Sequence, residues 1–289
     1  MEDYVGKNQR ILDEWRAKFI QDKQTDKDYD DWTQEDLSTL FAEDGIMNKG
    51  KMYKKDDIIW RESGNENEMW SKAPIRILFL TKDENADIAW DVRSETFYAK
   101  GLELPITDYQ VSSSFFYQNE VCLLYGLLKS NLENGYQEFN DFTWEDALRF
   151  SDEQIFARIN LKKEIGGGKL DNKDLQEAIN KYFDYIKKQI VLLDADIFVC
   201  CGSQNDNNII LNTLYDIYKD EFKYVDYGTG KGTAAHYNEK RNKLAIDAYH
   251  LAYGRNGGLS ERYAEVVGAY YEFIKYLKAT KGIDFTKHR

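Results

Sequence analysis

Four apolar runs in the chain each end on residues able to do acid–base or hydrogen-bonding chemistry. "IRILFLTKDENADIAWD" (75–91) ends on Asp83 and Asn85, and "FARINLKK" (156–163) on Asn160 and Lys163. "ADIFVCCGS" (195–203) ends on Gly202 and Ser203, and "KLAIDAYH" (243–250) on His250. A carboxylate such as Asp83 can orient or deprotonate a water, a carboxamide such as Asn160 can read a donor–acceptor edge, and an imidazole can donate to a developing anion. Trp90 follows the acidic turn and offers a face on which a base could stack, an interaction worth about 1–3 kcal/mol. In "GRNGGL" (254–259) Arg255 could meet a phosphate and Leu259 could wedge a duplex, although the simpler reading is a loop leading into the last helix. Glu84 and Asp87 share the turn with Asp83. They are alternative acids, or a small Mg²⁺ site; the assignment favoured here contains no metal and no cofactor.

These residues can act together only if the elements that carry them end at one place. The run Ile75–Thr81 is bounded by Pro74 and a polar turn, which predicts a buried strand. "FARINL" (156–161), "ADIFVCCG" (195–202), a short segment at 223–227 and "KLAIDAY" (243–249) predict further strands. Between them lie "FFYQNEVCLLYGLLKSNL", "TWEDALRF" with Thr143 as its cap, and "SDEQIF", for which Ser151 and Gln154 suggest a capping box. "DNKDLQEAINKYFDYIKKQIVLLD" places Leu175, Ile179, Phe183, Ile186 and Ile190 on one helical face. A helix near 205–219 and a long helix from Ser260 complete the series. Strands alternating with amphipathic helices predict βαβ units and a parallel sheet covered on both faces, with ligands bound beyond the carboxyl ends of the strands. Residues 1–72 are acidic and helical in character, with Ile11, Trp15 and Phe19 at spacing four and Thr33 as a cap. They are expected to form a helical N-terminal extension packed on a main domain of residues 73–289.

Composition narrows the function classes. With 289 residues, 42% of them hydrophobic, the chain can bury a full core. The three cysteines, Cys122, Cys200 and Cys201, sit inside apolar runs, predicting buried, reduced thiols and excluding a four-cysteine cluster or zinc site. No segment has signal-peptide or membrane-span character, so a cytoplasmic protein with no membrane partner is expected. The net charge of −12 opposes non-specific nucleic-acid binding, which depends on Lys and Arg neutralising phosphates. "GTGKGT" (228–233) departs from the phosphate-loop pattern at Val225 and Gly232 and reads as a hairpin-like loop between Tyr227 and Lys243. His236 is expected in that loop. "GGG" (166–168) is expected to be a connector.

The succession of a strand-terminal Asp, a strand ending in Asn, an apolar strand ending in Gly-Ser and a late strand ending in His resembles the uracil-DNA glycosylase superfamily over roughly residues 75–277. The resemblance implies a three-layer α/β/α sandwich with a short, mostly parallel central sheet. It also implies hydrolysis of an N-glycosidic bond, with Asp83 as water-activating acid, Asn160 as pyrimidine-reading amide and His250 stabilising the departing base anion. Two motifs differ from the best-known members: "TKDENAD" lacks Gly and Pro, and Leu251 and Ala252 stand where Pro and Ser usually follow the His. The expected pocket joins Asp83, Asn85, Trp90, Asn160 and His250, with Lys163, Ser203 and Arg255 as further contacts. The expected partner is DNA or another nucleobase-containing ligand. The competing expectations are a non-catalytic protein binding a base, nucleotide or protein partner through the same pocket, and an enzyme of free nucleosides or nucleotides.

Overall fold

A computed structural model describes residues 2–55, 58–82, 89–94, 115–166, 170–203, 207–227, 234–252 and 258–287. The chain is an α/β protein whose described residues build a seven-stranded sheet. Its centre is formed by four apolar runs: β4 (Ile77–Thr81), β5 (Ala157–Asn160), β6 (Ile197–Ser203) and β9 (Lys243–Tyr249). They lie in the order β5-β4-β6-β9 and all run parallel. Every residue of β4 and β5 is buried, as expected of strands covered on both faces. Antiparallel strands flank this centre. β1 (Gly45–Ile46) pairs with β5, β8 (Ala235–Asn238) pairs with β9, and β7 (Lys223–Tyr224) pairs with β8.

Alternation along the strands feeds two separate cores. Leu78, Leu80, Ile159, Phe198 and Cys200 face one side, packing with α1 (Tyr4–Lys23), α6 (Asn172–Leu193) and α7 (Ile209–Ile217). Ile77, Phe79, Val199, Cys201 and Ile246 face the other, packing with α4 (Phe115–Lys129), α5 (Trp144–Glu153) and α8 (Gly258–Lys281). The result is helix–sheet–helix layering. Asp171 caps α6 by accepting from the Asp174 amide at 2.8 Å. The helix kinks at Tyr182 (φ −119°, ψ 21°); Tyr182, three residues after Ile179, is buried on the same face, and Phe183 packs half-buried at the edge of that core. All three cysteines are buried and unpaired.

The N-terminal segment departs from the helical extension expected of it. α1, α2 (Gln34–Ser38) and α3 (Glu66–Lys72) are helical, and Thr33 with Asp36 forms a capping box on α2. The segment also contains β1 and an antiparallel hairpin of β2 (Met52–Lys55) and β3 (Ile58–Arg61). The hairpin stands outside the main sheet, and its sequence sets Ile58, Ile59 and Trp60 among Lys54, Lys55, Asp56, Asp57 and Arg61, too short an apolar stretch to mark it as a strand pair. Through β1 the segment joins the central sheet, while Trp15 packs its ring against Phe41 (5.9 Å), Tyr182 (5.7 Å) and Tyr185 (5.8 Å). Two other local expectations are corrected. Ser151 lies inside α5, donating its hydroxyl to the Leu148 carbonyl at 2.7 Å instead of capping a new helix. Part of the loop expected between Tyr227 and Lys243 is β8, and His236 belongs to that strand.

Candidate functional site

Register brings the four parallel strands to a common rim. Thr81 at the end of β4 pairs with Asn160 at the end of β5, and Ser203 at the end of β6 pairs with Tyr249, next to His250. β6 needs an irregularity between Cys201 and Ser203 to reach that register. Gly202 lies in this irregularity. A Cβ there would come within 2.8 Å of Ile210 and 2.9 Å of the Asn208 Oδ1 that caps α7, so glycine allows the helix to seat against the strand end.

Asn160 is completely buried. Its backbone N–H donates to Asp44 Oδ2 at 2.8 Å, its carbonyl accepts from Lys163 Nζ at 2.7 Å, and its side-chain Oδ1 accepts the Thr81 hydroxyl. Lys163 is equally buried. It forms an ion pair with Asp44 and lies 4.9 Å from the centre of the Trp15 ring. Lys163 therefore lies within the protein beneath the rim, holding Asn160 in place.

His250 stands at the far strand end, half-buried, with its ring centre 5.9 Å from that of Phe116 on α4. Burial, reinforced by the Lys82 ammonium, lowers its pKa from 6.5 to about 4. The imidazole is consequently neutral near pH 7. Nδ1 accepts the Ala252 backbone N–H at 3.3 Å, which assigns the ring proton to Nε2 and leaves that edge able to donate. Lys82, the residue before Asp83, is buried and donates to Asn172 Oδ1 at 3.3 Å.

Beneath the rim, Arg158 on β5 and Glu120 on α4 form a wholly buried ion pair at 3.2 Å. The Arg158 guanidinium lies 5.2 Å from the Phe116 ring and 5.7 Å from Tyr117. A hollow of about 10 Å³, room for roughly one water, opens beside His250 between β9, α4 and α8. Asn119 lines it. Its Nδ2 donates to the Leu251 carbonyl, while its buried Oδ1 has no hydrogen-bond partner among the described residues.

Other residues expected at the site lie apart or outside the described residues. The Trp90 backbone is fixed on the opposite flank, where its carbonyl accepts the Glu43 N–H at 3.2 Å just before β1. The strand order puts β5, β4 and β6 between that anchor and β9, a span of about 19 Å at normal strand spacing. Asp83, Asn85, Glu84, Asp87 and Arg255 fall outside the described residues, as do 228–233, 167–168 of the triple glycine and the side chain of Ser203. Among the described residues no group of three or more His, Cys, Asp or Glu is arranged to hold a metal ion, and no helix is long and apolar enough to cross a membrane. His236 pairs its Nδ1 with the Tyr215 hydroxyl at 2.8 Å on β8, where burial lowers its pKa, and it takes no part in the rim.

Sequence inspection missed Asp44, Phe116 and the Arg158–Glu120 pair. Asp44 is one of 51 acids and touches Asn160 across 116 positions of chain, so no local pattern marks it. Arg158 did carry a signal, since a cation inside an apolar strand requires a buried partner. No protein-family profile and no curated protein matches the chain.

Proposed function

We propose that this chain is a uracil-DNA glycosylase-like protein that hydrolyses the N-glycosidic bond of a nucleobase in DNA or in a nucleotide. The observation that carries this reading is the neutral His250, its proton on Nε2, on a rim shared with Asn160 and the strand that leads into Asp83. In the proposed reaction the bond from the sugar C1′ to the base nitrogen breaks and its electron pair leaves with the base. His250 Nε2–H donates to the oxygen on which that charge gathers. A neutral donor suits this role, because it stabilises the anion without first having to bind a proton from solvent. Water adds to C1′ and its proton passes to Asp83. Asn160, clamped at backbone and side chain, is the rigid element expected of a group that reads a base edge.

A non-catalytic protein that binds a base or nucleotide in the same place is the second reading. The net charge of −12, which opposes a DNA duplex, favours it. A base-release assay on uracil-containing single-stranded DNA, duplex DNA and free deoxyuridine separates the two. The hydrolase reading predicts release by wild type and a loss of at least a hundredfold in Asp83→Ala and in His250→Gln. Equal release by all three proteins removes both residues from the mechanism, and no release from any substrate favours the binding reading.

A further inference from the structure

The N-terminal segment lies outside the resemblance that suggests the function, yet it supplies the group that fixes the rim. The β1–β5 ladder stops at the pair Gly45–Arg158. One residue earlier the Asp44 side chain takes over: Oδ2 accepts the Asn160 N–H and the Lys163 ammonium, and Oδ1 accepts Gln189 Nε2 at 2.8 Å. Asn8 on α1 donates to the Asp44 carbonyl at 2.8 Å, and its Oδ1 accepts Gln189 Nε2 at 3.0 Å. Asp44, Lys163, Asn160 and Gln189 are all 2% exposed or less.

This arrangement is more than a means of filling space. A buried ion pair gives little net stability compared with apolar side chains of the same volume, so its distinctive contribution is the geometry it imposes. Here the two charged groups grip the two backbone hydrogen-bonding groups of one residue, in the peptide units on either side of its Cα. The carboxylate holds the N–H of Asn160 and the ammonium holds its C=O, through charge-assisted bonds about twice as strong as neutral ones. With Thr81 on the side-chain oxygen, the rim amide has little freedom to rotate or slide.

We propose that the Asp44–Lys163 pair is the positioning device of the candidate site, and hence that the N-terminal segment is an integral part of it. Both are positioning residues, acting through Asn160. For its functional consequence the proposal rests on the nucleobase reading above, but the clamp can be measured without it. Amide hydrogen exchange read by NMR compares the full-length wild type with Asp44→Asn and with the double variant Asp44→Asn/Lys163→Gln. The double variant leaves no unpaired charge and so protects against simple failure to fold.

The clamp predicts that Asn160 N–H exchange accelerates at least tenfold more than that of Phe79, Val199 and Ile246 on neighbouring strands. Acceleration by one common factor at all four amides would show ordinary destabilisation and overturn the proposal, as would unchanged exchange at Asn160 in the double variant. If wild type releases base, both variants should lower kcat by about tenfold to a hundredfold with little change in KM, the penalty of a loosened amide. If wild type releases none, the hydrolase reading fails while the exchange comparison still decides whether the clamp exists. An unchanged kcat alongside faster Asn160 exchange would leave a clamp that positions nothing catalytic, and would overturn the functional part.

Discussion

Replacing His250 with Gln should change how stability depends on pH more than it changes stability itself. In the folded chain the imidazole pKa is about 4, whereas in the unfolded chain it returns to about 6.5. Between these values the unfolded state binds the proton and the folded state does not, so the stability His250 confers is complete above pH 6.5 and disappears as the pH falls toward 4. At about 1.4 kcal/mol per tenfold change in proton affinity the upper limit is about 3 kcal/mol. Solvent at the half-buried rim screens part of that, leaving about 2 kcal/mol. Urea unfolding of wild type and His250→Gln at pH 7.0, 5.5 and 4.5 measures the effect. His236 and the carboxylates are common to both proteins, so they cancel in the comparison. Wild type should lose about 2 kcal/mol more than the variant between pH 7.0 and 4.5. Parallel losses would mean that His250 titrates normally, and the burial said to hold the imidazole neutral down through the acid range would be refuted.

Gly45 has φ +143°, and a Cβ there would lie 2.5 Å from Asn8 Nδ2; Gly45→Ala should therefore cost about 2–4 kcal/mol, seen as a lower urea midpoint at unchanged slope. Arg158→Met leaves Glu120 charged in a site with no exposure and should cost about 3–5 kcal/mol, whereas Arg158→Met/Glu120→Leu should recover most of it; equal losses in the two unfolding curves would contradict the pairing. Phe198 is fully buried between the sheet and the rings of Tyr218 (5.9 Å) and Phe222 (6.2 Å), so Phe198→Ala should cost about 3–5 kcal/mol, and a loss under 1 kcal/mol by thermal unfolding would mean that the core there is loosely packed.

The central sheet was legible because each parallel strand is covered on both faces and so must be written as an apolar run ending at a polar rim. That logic located Asn160 and His250 as well as β4, β5, β6 and β9. It fails at the sheet margins. β8 carries His236 and Asn238 and pairs along one side with a two-residue strand, so its sequence is polar enough to pass for a loop. β1 is only two residues long, and its main contribution comes from Asp44 beside it. The kink in α6 was invisible for a different reason: a single non-helical residue at Tyr182 leaves the i+3/i+4 series of buried residues unbroken on either side. The clamp on Asn160 depends on contacts across 116 and 119 positions of chain, a range at which pairing follows from the fold and not from spacing.

Titration of the isotope-labelled protein with free uracil, followed by amide NMR, tests the central claim most directly. If the rim is a nucleobase site, the amides of Lys82, Asn160, His250 and Leu251 should shift together and saturate along one binding curve. Shifts confined to another face, or none at millimolar uracil, would contradict it.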